Sequence, residues 1–386
     1  MHVSSLSLRD FRSYDALDLR WDAGVTVLVG PNGQGKTNIV EALHYLATLD
    51  SHRVATDAPL VRSGADRARV MARLHSGKRS LTLDVEVNPA GANKARVNRS
   101  PARTTREVVG LLRVVLFAPE DLAIVKGDPG ERRRFLDRLL VARRPRLSGV
   151  KADYDRVLRQ RTALLKSAAA VRRQRGPGAV DLSTLEVWDG HLARTGGELV
   201  AGRVGLLDEL AGRVSSVYAE LAAGGATARA GYASSVSAFG VGSAAVEAAG
   251  ADAVSWAGLL SEALAGARSG ELERGQCMVG PHRDDVLLSL GDLPARGYAS
   301  QGESWSMALA LRLASFDLLS AESDSPPVLL LDDVFAELDA RRRDHLADRV
   351  AEADQVVVTA AVPDDVPARL SGARFDVVSG GVERVG

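Results

Sequence analysis

An α/β nucleotide-binding head, built by both ends of the chain around a helical insertion, is the fold class this sequence predicts. Three observations predict it. First, Gly30-Pro31-Asn32-Gly33-Gln34-Gly35-Lys36-Thr37 fits G-x-x-x-x-G-K-[ST] at every fixed position, between the apolar run 25–29 and a helical pattern from Ile39. Second, Val328-Leu329-Leu330-Leu331 reads as a strand buried on both faces, and it ends in Asp332-Asp333. Third, Asp332 lies 295 positions beyond Thr37, and a basic, helix-patterned stretch lies between them. A simple P-loop domain holds these two motifs on adjacent strands of one sheet. The chain ends must therefore meet, and the middle must project from the surface.

Size and composition set the frame. The 386 residues suffice for two or three domains. No run approaches the ~18 apolar residues of a membrane span. The opening Met-His-Val-Ser-Ser-Leu-Ser-Leu-Arg-Asp has no basic region followed by an apolar block, so no export signal and a cytoplasmic location are expected. The single cysteine, Cys277, excludes an internal disulfide and reads as a small buried residue. Lys plus Arg and Asp plus Glu balance at 49 each, and arginine supplies 43 of the basic residues. Arginine abundance alone then says little about nucleic acid; its clustering matters.

Taken in order, Val3, Leu6 and Leu8 begin one strand, and Leu17, Leu19 and Trp21 alternate in a second. Arg12 lies between them, as ordinary surface charge or folded back over the phosphates. After the helix from Lys36 to Leu46, residues 69–75, 80–87 and 94–97 alternate as an antiparallel patch, and Val114–Phe117 is a short apolar strand. Residues 131–175 then carry 15 Arg or Lys against four Asp or Glu, with leucines at helical spacing. This is a wet helical face or a polyanion contact, with equal weight on each. Gln174–Gly178 reads as a turn, 182–220 as helical again, and the Ala- and Gly-rich stretch 221–270 as loops and short helices. Gly280-Pro281-His282-Arg283-Asp284-Asp285 reads as a turn near a ligand, followed by a strand at 286–290. The expected division is 1–119 and 272–386 for the head and 120–271 for the inserted arm.

The chemistry follows from residue types. The backbone N–H groups of residues 30–37 and the helix N-terminus would cradle phosphates. Lys36 would reach the β- and γ-phosphates, and the Thr37 hydroxyl and Asp332 would hold Mg²⁺. Asp333 would orient or deprotonate the attacking water. Lys36 and Asp333 are thus the candidate catalytic residues. A second phosphate device, Ser300-Gln301-Gly302, precedes a helix from about Ala308. One chain cannot easily wrap both devices around one triphosphate, whereas two facing chains can, with Ser300 and Gly302 meeting the partner's P-loop.

This combination resembles the ABC-type ATPase heads of the SMC and RecF class. Ser300-Gln301-Gly302-Glu303 takes the place of the signature motif, and Glu337-Leu338-Asp339 that of the D-loop. The blocks Leu6-x-Leu8-x-x-Phe11-Arg12, Phe117-x-Pro119-Glu120-Asp121-Leu122, Lys126-Gly127-x-Pro129-x-x-Arg132-Arg133, Gly280–Asp285 and Leu331–Asp339 look closest to the RecF family of bacterial recombination mediators. Long heptads, as in SMC proteins, are absent. Glu120 or Asp121 stands where such ATPases carry a Gln, and Thr359 stands where they carry a switch histidine.

The resemblance implies a mixed sheet with an antiparallel subdomain, and an ATP- and Mg²⁺-dependent homodimer. It implies binding to double-stranded DNA at single-strand gaps and junctions, work with RecO and RecR in loading RecA, a part in the SOS response, and a weak DNA-stimulated ATPase. The alternatives are the nucleotide-binding subunit of a membrane transporter, against which the distant motifs and basic insertion stand, and an SMC-type structural ATPase.

Overall fold

The computed structural model describes the chain except residues 78, 177–182, 223–224, 324, 379 and 386, so the turn expected at 174–178 falls partly outside the described residues. The first half runs β1 (His2–Phe11), β2 (Tyr14–Arg20), β3 (Gly24–Val29), α1 (Lys36–Thr48), β4 (Ala68–Ser76), β5 (Arg79–Val87), β6 (Lys94–Val97), β7 (Ser100–Pro101), β8 (Val114–Phe117), α2 (Leu122–Lys126), α3 (Pro129–Arg143), α4 (Leu147–Arg175) and α5 (Ser183–Leu221). The second half runs β9 (Ala228–Ala233), α6 (Ser243–Ala249), α7 (Ala253–Arg274), β10 (Asp285–Leu290), β11 (Leu293–Pro294), α8 (Ala295–Tyr298), α9 (Gln301–Ala321), β12 (Val328–Asp332), α10 (Ala340–Val350), β13 (Gln355–Ala360), β14 (Ala373–Val378) and β15 (Gly381–Arg384).

These elements form two compact units. The first is Met1–Lys126, Arg213–Ala228 and Gly297–Gly386; the second is Gly127–Gly212 and Arg229–Arg296. Both chain ends thus build the first unit. The expected joins at 119/120 and 271/272 both fall too early, and 213–228 returns to the head. Side-chain commitments explain the shift. Asp121 is held by Arg312 of α9 at 2.6 Å, which keeps α2 with the head. On the other side, Asp285 pairs with Arg132 of α3 at 2.7 Å, which keeps the Gly280–Asp285 block in the arm.

The head holds two six-stranded sheets. One is antiparallel in the order β2-β1-β4-β5-β6-β7, as the alternating pattern of β4 and β5 requires. The other has the order β15-β14-β3-β13-β12-β8, parallel except for β15. The P-loop strand β3 and the acid-bearing strand β12 are therefore in one sheet but not adjacent, because β13 lies between them. Helix α1 contributes Ile39, Val40, Leu43 and Leu46 to a core shared with Leu8 and Val70 of the first sheet and Leu28, Leu330 and Val357 of the second. In β12, Val328 to Leu331 are all fully buried. Each such aliphatic side chain contributes about 1.5–3 kcal/mol relative to exposure, so four in succession leave this strand nowhere but the middle of the sheet. Gln355 crosses between the sheets: its Oε1 accepts from Val3 N–H at 2.7 Å and its Nε2 donates to Val3 O at 2.8 Å.

The stretch 221–270, in the arm unit from Arg229 onward, departs from the expected loops and short helices. It holds β9 and the 22-residue helix α7, which buries Trp256, Leu260, Ala263, Leu264, Ala267 and Leu272. The polar groups of the Gly280–Asp285 turn have partners within their own unit. Asp284 is buried and accepts from Tyr232 Oη at 2.7 Å and Ser235 N–H at 2.7 Å, and Pro281 O accepts from Arg203 Nη1 at 2.7 Å. This motif is structural glue.

Candidate nucleotide site

The site lies at the carboxyl edge of the parallel sheet, where open α/β sheets bind ligands. Parallel register sets Asp332 beside Thr359 and Ala360 beside Val29, so three strand ends deliver their next residues to one place. The P-loop leaves β3 at Gly30. A Cβ there would lie 2.1 Å from the carbonyl oxygen of Val377 on β14, so only glycine fits. Tyr14 closes the loop from below, its hydroxyl donating to Gly35 O at 3.2 Å.

Lys36 is 3% exposed, and its Nζ donates to Gly30 O at 2.7 Å, Pro31 O at 3.2 Å and Asn32 Oδ1 at 3.5 Å. The ammonium is held inside its own loop by oxygens that phosphate oxygens can replace. Thr37 Oγ1 donates to Asp332 Oδ1 at 3.0 Å, joining residues 295 apart. The same carboxylate oxygen accepts from Thr359 Oγ1 at 2.8 Å, and Thr359 Oγ1 accepts from Asp333 N–H at 2.8 Å. Thr359, in the switch-histidine position, is therefore committed to fixing the two aspartates.

This arrangement fits a divalent cation. Thr37 spends its proton on Asp332, which leaves the hydroxyl lone pairs free. Among the described residues no group of three or more His, Cys, Asp or Glu is disposed to hold a metal. Mg²⁺ needs none, since it binds through one or two protein oxygens with substrate phosphates and water.

Asp333 adopts φ +48°, in the left-handed region that is costly for most side chains but open to Asp and Asn. The turn carries its carboxyl out of the strand. Burial lifts that carboxyl above its ordinary value, Lys36 pulls against the lift, and neighbouring Asp332 adds to it. A carboxylate made more basic beside the phosphate loop is suited to accept a proton.

Arg12, read from the sequence as either surface charge or a phosphate contact, pairs with α1. Its Nε and Nη2 donate to Glu41 Oε2 and Oε1 at 2.7 and 2.6 Å, and its Nη1 donates to Pro59 O at 2.9 Å. Each guanidinium nitrogen donates once, which fixes the plane of the group against α1 and leaves the second N–H of Nη1 and of Nη2 for a further acceptor. Asp121 is likewise committed: it accepts from Arg312 and from Ala118 N–H, while Glu120 is exposed.

Ser300 caps α9. Its Oγ accepts from Glu303 N–H at 3.3 Å, and Glu303 Oε2 accepts from Ser300 N–H at 2.9 Å. Among the described residues no hydrogen bond joins Ser300 or Gly302 to the P-loop of the same chain. Behind this turn Arg342 donates to Ser306 Oγ at 2.8 Å and pairs with Asp339, tying the signature helix to the D-loop.

Two participants escaped sequence reasoning. Glu41, fully buried on α1, receives Arg12 and the Ser51 hydroxyl, the latter at 2.6 Å. His52, held in the next turn, places Nε2 3.8 Å from Asp332 Oδ2. The only signal was a polar triplet, Ser51-His52-Arg53, just beyond an apolar helix.

Fold and site together define an ATP-binding head of the ABC type. Comparison with known proteins narrows this. The family model described as RecF/RecN/SMC N terminal domain matches residues 2–367. The chain is 57% identical over 385 residues to the DNA replication and repair protein RecF of Streptomyces avermitilis, covering 100% of both chains. It is also 57% identical to that of Kineococcus radiotolerans, covering 98% of this chain and 97% of the other. A solved structure of the recombination mediator protein RecF with ATP in the RecFOR pathway superposes with TM-score 0.85 at 25% identity, covering 100% of this chain and 99% of that one. An Smc head domain from Pyrococcus furiosus shares the fold at TM-score 0.54 and 17% identity, covering 100% of this chain and 96% of that one. The chain belongs to the RecF family.

Proposed function

We propose that this chain is an ATP-gated DNA-binding protein of recombinational repair, acting as a dimer closed on two nucleotides. The observation that carries the reading is the Thr37–Asp332 contact, which assembles a phosphate loop and its acidic strand from opposite chain ends. The backbone N–H groups of 30–37 and Lys36 hold the triphosphate. Thr37 and Asp332 hold Mg²⁺, which when bound draws negative charge off the phosphate oxygens. Asp333 accepts the proton of the attacking water. The Ser300–Gly302 turn of the partner chain completes the enclosure, since its hydroxyl, free N–H groups and positive helix end suit a γ-phosphate.

In this reading ATP is a timer: its phosphates bridge two chains, hydrolysis removes the bridge, and turnover is slow. DNA is gripped by its backbone, without base readout. The names of the relatives support a place in replication and repair, and the named pathway supports RecO and RecR as partners; RecA loading is the outcome this reading assigns to them. Among the described residues no helix is long and apolar enough to cross a membrane.

The test is the mass of the protein in solution with ATP and Mg²⁺, by light scattering. Wild type dimerises, and Lys36→Met does not because it fails to hold the nucleotide. Ser300→Arg binds ATP yet stays monomeric. A Ser300→Arg protein that dimerises like wild type would falsify the facing-site reading.

A further inference from the structure

His52 belongs to no motif, yet the fold takes trouble to place it. Ser51 Oγ donates to buried Glu41 Oε1 at 2.6 Å and accepts the N–H groups of Arg53 and Val54 at 2.9 and 3.1 Å. That turn pins the backbone on both sides of His52. The ring of His44 closes one side, edge to face, with centroids 5.3 Å apart. The His52 side chain is 4% exposed, and among the described residues neither ring nitrogen has a hydrogen-bond partner. Leaving such a group unpaired is costly, and buried polar groups are seldom left so.

The charge this imidazole faces is Asp332 Oδ2, 3.8 Å from Nε2. The other oxygen of that carboxylate, Oδ1, already accepts from Thr37 and Thr359. A shift of about 1 Å brings Nε2 to hydrogen-bond length. Carboxylates at metal sites are themselves hydrogen-bonded by outer residues that fix their plane, and loss of such a partner typically weakens metal binding 10–100-fold.

We propose that His52 is a positioning residue of the metal half of the site, whose Nε2–H donates to Asp332 Oδ2 and fixes how that carboxylate faces a divalent cation. The inference rests on the ATP–Mg²⁺ reading of the site given above. His52 supplies from the segment after α1 an imidazole that the Thr359 position lacks. Its role is to act through Asp332.

The test uses the full chain with ADP and Mn²⁺, reading bound Mn²⁺ by electron paramagnetic resonance against an ADP-only control. Fold is checked by circular dichroism, and ADP affinity is measured separately in EDTA. His52→Phe, which keeps the ring volume and loses the donor, binds Mn²⁺ 10–100-fold more weakly while ADP affinity in EDTA is unchanged. His52→Gln, which carries an N–H donor at similar reach, recovers most of the loss. Mn²⁺ binding within twofold of wild type in His52→Phe overturns the proposal. So does a folded His52→Gln protein as weak as His52→Phe, which would mark a packing role. If wild type with ADP binds no Mn²⁺ beyond the control, the metal-site reading itself fails, and this inference with it.

Discussion

His282 shows what burial does to one titratable side chain. Its Nδ1 lies 2.6 Å from Tyr154 Oη, inside the arm unit. Burial, only partly offset by the Cys277 carbonyl and reinforced by Arg283, Arg133 and Arg161, lowers it from 6.5 to about 4. Between those values the unfolded chain takes up a proton that the folded chain refuses. Stability is therefore full above about pH 6.5, falls as pH drops toward 4, and is flat below. The loss is about 2–3 kcal/mol, discounted for the partial exposure of the ring. Urea unfolding at pH 7 and pH 4.5 should show it, and His282→Gln, which keeps an acceptor for Tyr154 and cannot titrate, should lose less by that amount. At this scale the phosphate loop and Asp332-Asp333 were legible because a fixed spacing carries their chemistry. His52 and Glu41 were not, since their roles arise from a turn and a buried carboxylate that meet only after folding. The charge-rich Gly280–Asp285 turn was harder to read, because a dense polar cluster looks alike whether it awaits a ligand or satisfies itself.

Element by element, strands were read well wherever one face is buried. The alternation of β4 and β5 and the unbroken aliphatic run of β12 each leave one workable placement. Helix α7 was missed because it presents its core face largely as Ala and Leu among glycines, and small residues weaken a periodic signal. Small residues are what its packing demands. A Cβ on Gly197 of α5 would stand 2.6 Å from Ala253 O and 2.7 Å from Ala257 N, so the two helix backbones touch there. Gly197→Val must push α7 away, at a cost of about 3 kcal/mol or more. Gly212, also in α5, faces open space without a positive φ, and Gly212→Ala should stabilise by about 0.5–1 kcal/mol. Chemical denaturation of the two variants should move in opposite directions. Equal shifts would mean that the α5–α7 contact yields freely.

For the molecule as a whole, the proposed function requires a surface that would hold DNA. The run 131–175 carries 15 basic against four acidic residues, but the fold answers most of that excess internally. Arg132 meets Asp285, Arg143 meets Glu209, Lys151 meets Asp155, and fully buried Arg161 meets Asp189 and Glu271. Counted over the arm unit, 22 basic residues face 19 acidic ones, a net of +3. Apart from Asp155, which the run itself supplies, these acids lie on α5, α7 and β10, out of sequence reach, which is why the local count overstated the field. Among the described residues of this run, Arg144, Arg159 and Lys166 are exposed and their side chains have no ion pair or hydrogen bond. Each phosphate contact contributes about −0.9 to the slope of log affinity against log salt. In a dimer, Arg159→Ala with Lys166→Ala removes four such contacts if the arm tracks the DNA backbone. The slope should then flatten by about 3–4, with little change in ATP-dependent dimerisation. The measurement is fluorescence anisotropy of a labelled duplex from low to moderate salt, with ATP and Mg²⁺ present. An unchanged slope would make the arm's arginines a solvated, self-paired face and would move the DNA to the head, where closure on nucleotide alone would decide whether it is held.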